Sequence, residues 1–152
     1  MKPAWILTLV LFSSLVAPRM ARTQATSTVF VTFDADEDTP AAKRREVADS
    51  ARDVREQIQK RDNLEAADNR GAADVLVTIL DRRIEVNPSG ENDWGGALKQ
   101  THYQSRHILF FRMETHAAVE ESEIALAGAF VTWKRVAGVL AKDVEKWARG
   151  NW

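Results

Sequence analysis

The chain has no cysteine, and that absence removes several chemistries together. It excludes disulfides, thiolate metal sites, a cysteine nucleophile and a lipid-bearing cysteine, so packing alone must hold the fold. No N-glycosylation acceptor exists either, because Asn87 is followed by Pro88. The sequence has no internal repeat and no low-complexity tract. A concentrated basic patch, the footprint of a nucleic-acid surface, is also missing. The apolar run Ala4–Val16 is broken by Thr8, Ser13 and Ser14 and falls short of the roughly 20 residues a spanning helix needs.

What that run does fit is a secretory signal. Lys2 gives a positive start, the apolar stretch follows, and Thr23-Gln24-Ala25 offers small residues for cleavage after Ala25. Residues 1–25 are therefore read as a signal peptide and 26–152 as one domain, secreted or periplasmic. Removing the signal takes away Lys2, Arg19 and Arg22 but no acid, so 18 basic residues face all 22 acidic ones. The remaining domain is mildly acidic and long enough for a single core. No nucleic-acid partner and no membrane span after signal removal are expected.

Val29–Phe33 reads as an interior strand, with bulk on both faces. A helix is predicted from about Pro40 to Lys60, with Val47, Ala51, Val54 and Ile58 as one apolar stripe. Thr39 is the expected N-cap and Pro40 a first-turn proline. Asn63–Ala66 suits a short strand, and Asp68–Ala73 a turn or one helical turn. Val75–Val86 is the clearest strand: apolar on both faces at first, then alternating, with Arg82 on the apolar side. "NPSGENDWGG" reads as a loop, Leu98–Gln104 as an edge strand, and the stretch ending at Met113 as a returning strand. Residues 119–128 are ambiguous, with a last strand favoured near Glu123–Ala127. A final helix, about Phe130–Arg149, carries Trp133, Ala137, Leu140, Val144 and Trp147 on one stripe, with Gly150 as its stop. Both tryptophans are assigned to packing. The predicted class is α+β: a two-layer sandwich, mostly antiparallel sheet with two amphipathic helices on one face.

Several groups invite a chemical reading. "VFVTFDAD" resembles the nucleophile motif of haloacid-dehalogenase-type phosphotransferases. That resemblance implies a metal-assisted hydrolase with Asp34 as nucleophile and Asp36 as its proton-handling partner. The Gly-Thr that usually follows is missing. A calcium loop on Asp34, Asp36 and Asp38 fails, since its sixth position is Thr39 and its twelfth Arg45. The preferred reading is acidic charge before a helix N-terminus, favoured by the dipole there. His102, His107 and His116 occupy one hairpin region, but odd spacing sets strand residues on opposite faces. They are read as solvated edge residues, with no metal and no cofactor expected. Trp94, in a Gly-, Ser- and Asn-rich loop, either folds back over a sheet end or serves recognition. With Tyr103 it forms the candidate binding site.

The stretch Ala72, Ala73, Asp74, Val75, Leu76, Val77, preceded by a strand, a helix and a short strand, resembles a group of exported α+β domains. These are the TolB amino-terminal, CsgG-like and penicillin-binding-protein-activator types. The resemblance implies a non-catalytic envelope or secreted interaction domain, whose partner would be another envelope or secreted protein. A small metal-assisted hydrolase on Asp34 and Asp36 is the alternative.

Overall fold

The computed structural model describes residues 26–93 and 99–150. In chain order these form β1 (Ser27–Phe33), α1 (Ala41–Ile58), β2 (Leu64–Ala66), a 3-10 turn (Arg70–Ala72), β3 (Val75–Asp93), β4 (Lys99–Glu114), β5 (Val119–Ala127) and α2 (Trp133–Gly150). The fold is α+β. One five-stranded sheet runs in the order β2-β1-β3-β4-β5. It is mixed: β1 is parallel to β2 and β3, whereas the longer β3–β4 and β4–β5 pairings are antiparallel. No described helix is long and apolar enough to cross a membrane.

Alternation along the strands builds the core. Val29, Val75, Val77, Ile79, Leu109, Phe111, Met113 and Ile124 point to one face and meet the helices. The predicted α1 stripe of Val47, Ala51, Val54 and Ile58 is buried against them. On α2 the buried stripe is Val136, Ala137, Leu140, Ala141, Val144 and Ala148. The core is thus rich in β-branched strand residues and small helix residues. Trp133 and Trp147 are only half-buried and pack against its margin. On the opposite face Leu76, Thr78 and Ile108 are also buried, and the Arg83 guanidinium lies 4.9 Å over the Phe110 ring.

The Ala-Asp-Val-Leu-Val motif has a clear structural role. Asp74 accepts hydrogen bonds from the Thr28 backbone N–H (2.8 Å) and hydroxyl (2.6 Å), while its own N–H reaches the Thr28 carbonyl (2.9 Å). This clamp sets the parallel register in which Val29 lies beside Val75. The second anchor joins the helices' far ends. Glu145 on α2 accepts from Asn63 Nδ2 at 2.8 Å and from Arg149 at 2.5 Å, with Arg61 at 3.7 Å. These contacts, led by the Asn63 hydrogen bond, hold its carboxyl below the usual carboxylate range.

Four predicted boundaries change. The helix α1 begins after Pro40, which is itself the N-cap and offers no side-chain cap, so Thr39 is not the cap. The first turn holds no acid. The acids lie in the turn just before the helix, and Arg44 reaches back to the carbonyls of Asp36 (3.2 Å) and Glu37 (2.8 Å), which ties that turn to the helix. The helix α2 starts at Trp133, with Thr132 Oγ1 accepting from the Arg135 N–H, and leaves Phe130 outside and 90% exposed. Gly150 lies within α2 as its last residue. Finally, the loop "NPSGENDWGG" and the separate strand Leu98–Gln104 give way to one long hairpin. β3 continues to Asp93 and β4 runs unbroken from Lys99 to Glu114. Proline is compatible here because Pro88 lies on a strand with no neighbour on its outer side, where no N–H is needed. Gly90, at φ +157°, takes up the register shift beside it.

Candidate binding ribbon

The sheet's two longest strands outrun their neighbours. β1 leaves β3 after the Phe33–Ile79 pair, and β5 leaves β4 after Ala127–Arg106. Beyond those points β3 and β4 each pair only with the other, and past Arg82, which the helices still cover, the helix-side face opens to solvent at Ile84. A bulge governs which side chains face which way. Ile79 opposes Phe111 and Asp81 opposes Phe110, so Leu80 is an extra residue. Before it, odd-numbered residues of β3 face the helices; after it, Arg82, Ile84 and Val86 do.

The exposed part of that helix-side face is apolar. Ile84 is 53% exposed, Val86 59% and Tyr103 69%. Tyr103 stands opposite Pro88, and Val86 opposite Ser105. At the base lies a cluster that the sequence did not announce. The Arg82 guanidinium sits 4.9 Å over the Trp133 ring, and His107 meets the same ring edge-on at 4.9 Å. Arg82 also lies 3.7 Å from Glu46 and 3.3 Å from Ser50 Oγ. Lys43 joins the Asp81 carboxylate (2.6 Å) to the Arg82 carbonyl. Glu46, Arg82, Arg83, Ile84 and Trp133 line a groove of about 380 Å³. Glu46 pairs with Arg82, and Arg83 with Glu85 at 3.1 Å, so the arrangement offers stacking and apolar contact rather than a poised acid or nucleophile. The only hint in the sequence was Arg82 on the apolar side of its strand.

Of the predicted binding residues, Tyr103 lies on the ribbon. Trp94 falls outside the described residues. Asp34 and Asp36 are exposed in the turn between β1 and α1. The Asp34 N–H bonds the Ile79 carbonyl at 2.9 Å, and Asp36 closes the turn through its carbonyl to the Thr39 N–H. The Asp34 charge adds to those of Glu121 and Glu114 in holding Arg112 above its ordinary range, where the Glu121 hydrogen bond is the main cause. The three histidines do not converge. His102 and His107 fall on opposite faces of β4, and His116 lies in the turn beyond its far end. His107 is not a solvated edge residue: it is half-buried and its Nδ1 is enclosed without a hydrogen-bond partner. Among the described residues, no three His, Asp or Glu side chains are placed to hold a metal ion.

No protein-family model matches the chain. No curated protein matches it either. Two solved structures are among those similar to it. A minor lipoprotein of Acinetobacter baumannii is 12% identical, with 82% of this chain and 94% of that one covered at a TM-score of 0.45. The rare lipoprotein B of Shewanella oneidensis is 11% identical, with 80% and 84% covered at a TM-score of 0.41. Neither is one of the TolB, CsgG-like or penicillin-binding-protein-activator domains that the Ala72–Val77 stretch resembles.

Proposed function

We propose that this chain is an exported, non-catalytic binding or envelope-assembly domain. In this reading residues 1–25 direct export, and the partner is another envelope or secreted protein. The partner is held by the helix-side face of the ribbon, Tyr103 with Ile84 and Val86; Trp94, the other binding residue expected from the sequence, lies outside the described residues. The observation that supports it is the exposure of Ile84, Val86 and Tyr103 together where the β3–β4 hairpin projects, Ile84 at its base beside His107 and Val86 and Tyr103 beyond the end of β5. Scattered exposed apolar residues are ordinary, but a contiguous exposed patch marks an interaction surface. An aromatic side chain with a polar tip suits such a surface because it buries much area at little entropic cost.

The test is affinity capture from an envelope fraction with the wild-type chain, followed by titration of the captured partner against Tyr103→Ala and Trp94→Ala. A loss of affinity of roughly tenfold or more in either variant supports the site, since truncated aromatic anchors commonly cost more than about 1 kcal/mol. Unchanged affinity in both variants removes the site assignment. Amino-terminal sequencing of the exported protein examines the first half of the reading, with Thr26 as the expected first residue.

A further inference from the structure

Three of the sheet's free edges among the described residues are not alike. The outer edge of β2 is three residues long. The outer edge of β5 carries Glu120, Glu121 and Glu123, and charge on an edge strand discourages strand addition. The third is the edge of β3 that β1 leaves behind after Ile79. Lys43 and Asp81 guard its first residue; Ile84 and Val86 beyond them are apolar and exposed.

The direction of the backbone groups there can be fixed. The Ser105 carbonyl accepts from the Gly128 N–H at 3.1 Å, so the polar backbone of Ser105 faces the β5 side. Its opposite residue, Val86, must then turn N–H and C=O away from β4, and antiparallel alternation turns those of Ile84 and Arg82 the same way. Two contacts agree: the Arg82 N–H meets its neighbour Asp81 (2.7 Å), and its carbonyl meets Lys43. Both side chains stand where an added strand would lie. The free stretch is bounded by Ile79 at one end and by Pro88 with its bulge at the other. That leaves residues 80–88, centred on Ile84.

We propose that this edge pairs antiparallel with the same edge of a second copy of the chain, across a two-fold axis at Ile84. In that register Ile84 meets Ile84 through a reciprocal pair of backbone hydrogen bonds, and Val86 lies opposite Arg82. Arg83 and Glu85, which pair with each other at 3.1 Å within one chain, each fall opposite the other residue of the second copy, so the two intrachain pairs join into one four-charge cluster. Charge selects this register: moving the axis to Glu85 would set two like charges directly opposite, which is destabilising. Lys43 and Asp81 release the Arg82 backbone as the second strand arrives. The inference is independent of the partner surface proposed above, which uses the face of the ribbon and not its edge.

Sedimentation equilibrium of the purified protein tests it, with a dimer that dissociates on dilution as the expected result. Glu85→Arg and Arg83→Glu should each weaken association by roughly tenfold, by placing like charges across the axis. The double variant R83E/E85R should regain it. An equimolar mixture of the two single variants should form a heterodimer, because each then presents the charge the other lacks. Urea unfolding confirms that the variants are folded, and Val86→Pro, which removes an outward N–H, should also leave a folded monomer. A wild-type monomer at about 1 mM, single variants that associate like wild type, or a mixture that fails to associate would each overturn the proposal.

Discussion

Replacing Glu145 gives a demanding check on what joins the two helices at their far ends. Its side chain is 15% exposed and holds three groups: Asn63 Nδ2 at 2.8 Å, Arg149 at 2.5 Å and Arg61 at 3.7 Å. A hydrogen bond to a charged group contributes ~1.5–3 kcal/mol net, whereas the more exposed arginine contacts add about 0.3–0.5 kcal/mol each. Glu145→Ala should therefore cost about 2–4 kcal/mol, part of it from leaving the Asn63 amide without its acceptor. Glu145→Gln keeps an acceptor and should cost about half as much. The penalty should depend on pH in one direction only. The folded carboxyl is held below its ordinary value, so its contribution is complete above the unfolded value and fades as pH falls through the folded one. Urea unfolding of the purified protein near neutral pH and again well below the carboxylate range supplies both numbers. A penalty below about 0.5 kcal/mol at neutral pH, or one of equal size at both, would refute the assignment of Glu145 as a charged link.

Other perturbations follow from the same contacts. Asp53 has its pKa raised, first by burial and then by Glu56 and Asp49, against the opposing pull of Lys134 and Arg82. Its ionised form thus costs stability above the folded pKa, so Asp53→Asn should stabilise at neutral pH. The gain should vanish below the unfolded pKa, as read by urea midpoints. Asp74→Ala removes the exposed clamp on Thr28 and should cost about 1 kcal/mol, with amide exchange accelerating at Thr28 relative to β4. Mg²⁺, Ca²⁺, Mn²⁺ and Zn²⁺ should leave the thermal midpoint unchanged. A metal bound only to the folded state at 100 times its Kd would add about 2.7 kcal/mol, and a shift abolished by Asp34→Asn would reinstate the acidic turn as a site.

The parts of the fold legible in the sequence were those written in periodicity. The Val47, Ala51, Val54, Ile58 stripe and the apolar alternation of Val75–Ile79 depend only on neighbours a turn or two residues away. The hairpin was obscured because Asn-Pro and Ser-Gly are local turn signals. What overrides them is a tertiary circumstance, a strand whose outer side needs no hydrogen bonds. Trp133 was assigned to packing, and it does pack, but at the core's margin. A helical wheel knows direction but not depth, and at the first turn of the helix the sheet meets it with Arg82 and His107 rather than with apolar side chains. The Arg82, Trp133 and His107 cluster unites three distant segments of chain, and no local pattern encodes that meeting. Tyr103 was visible as an exposed aromatic on a polar strand, although the arm that carries it was not.

The extra residue at Leu80 has a consequence for how this molecule can vary. It works as a phase joint between a half-strand committed to the interior and a half-strand free to face outward. Deleting it would join Ile79 directly to Asp81 and restore unbroken alternation, so Arg82, Ile84 and Val86 would keep the helix side opposite Leu109, His107 and Ser105. A single codon lost there would thus straighten the strand and lessen its twist without turning the arm over, so the angle at which the arm leaves the body can vary while both keep their faces.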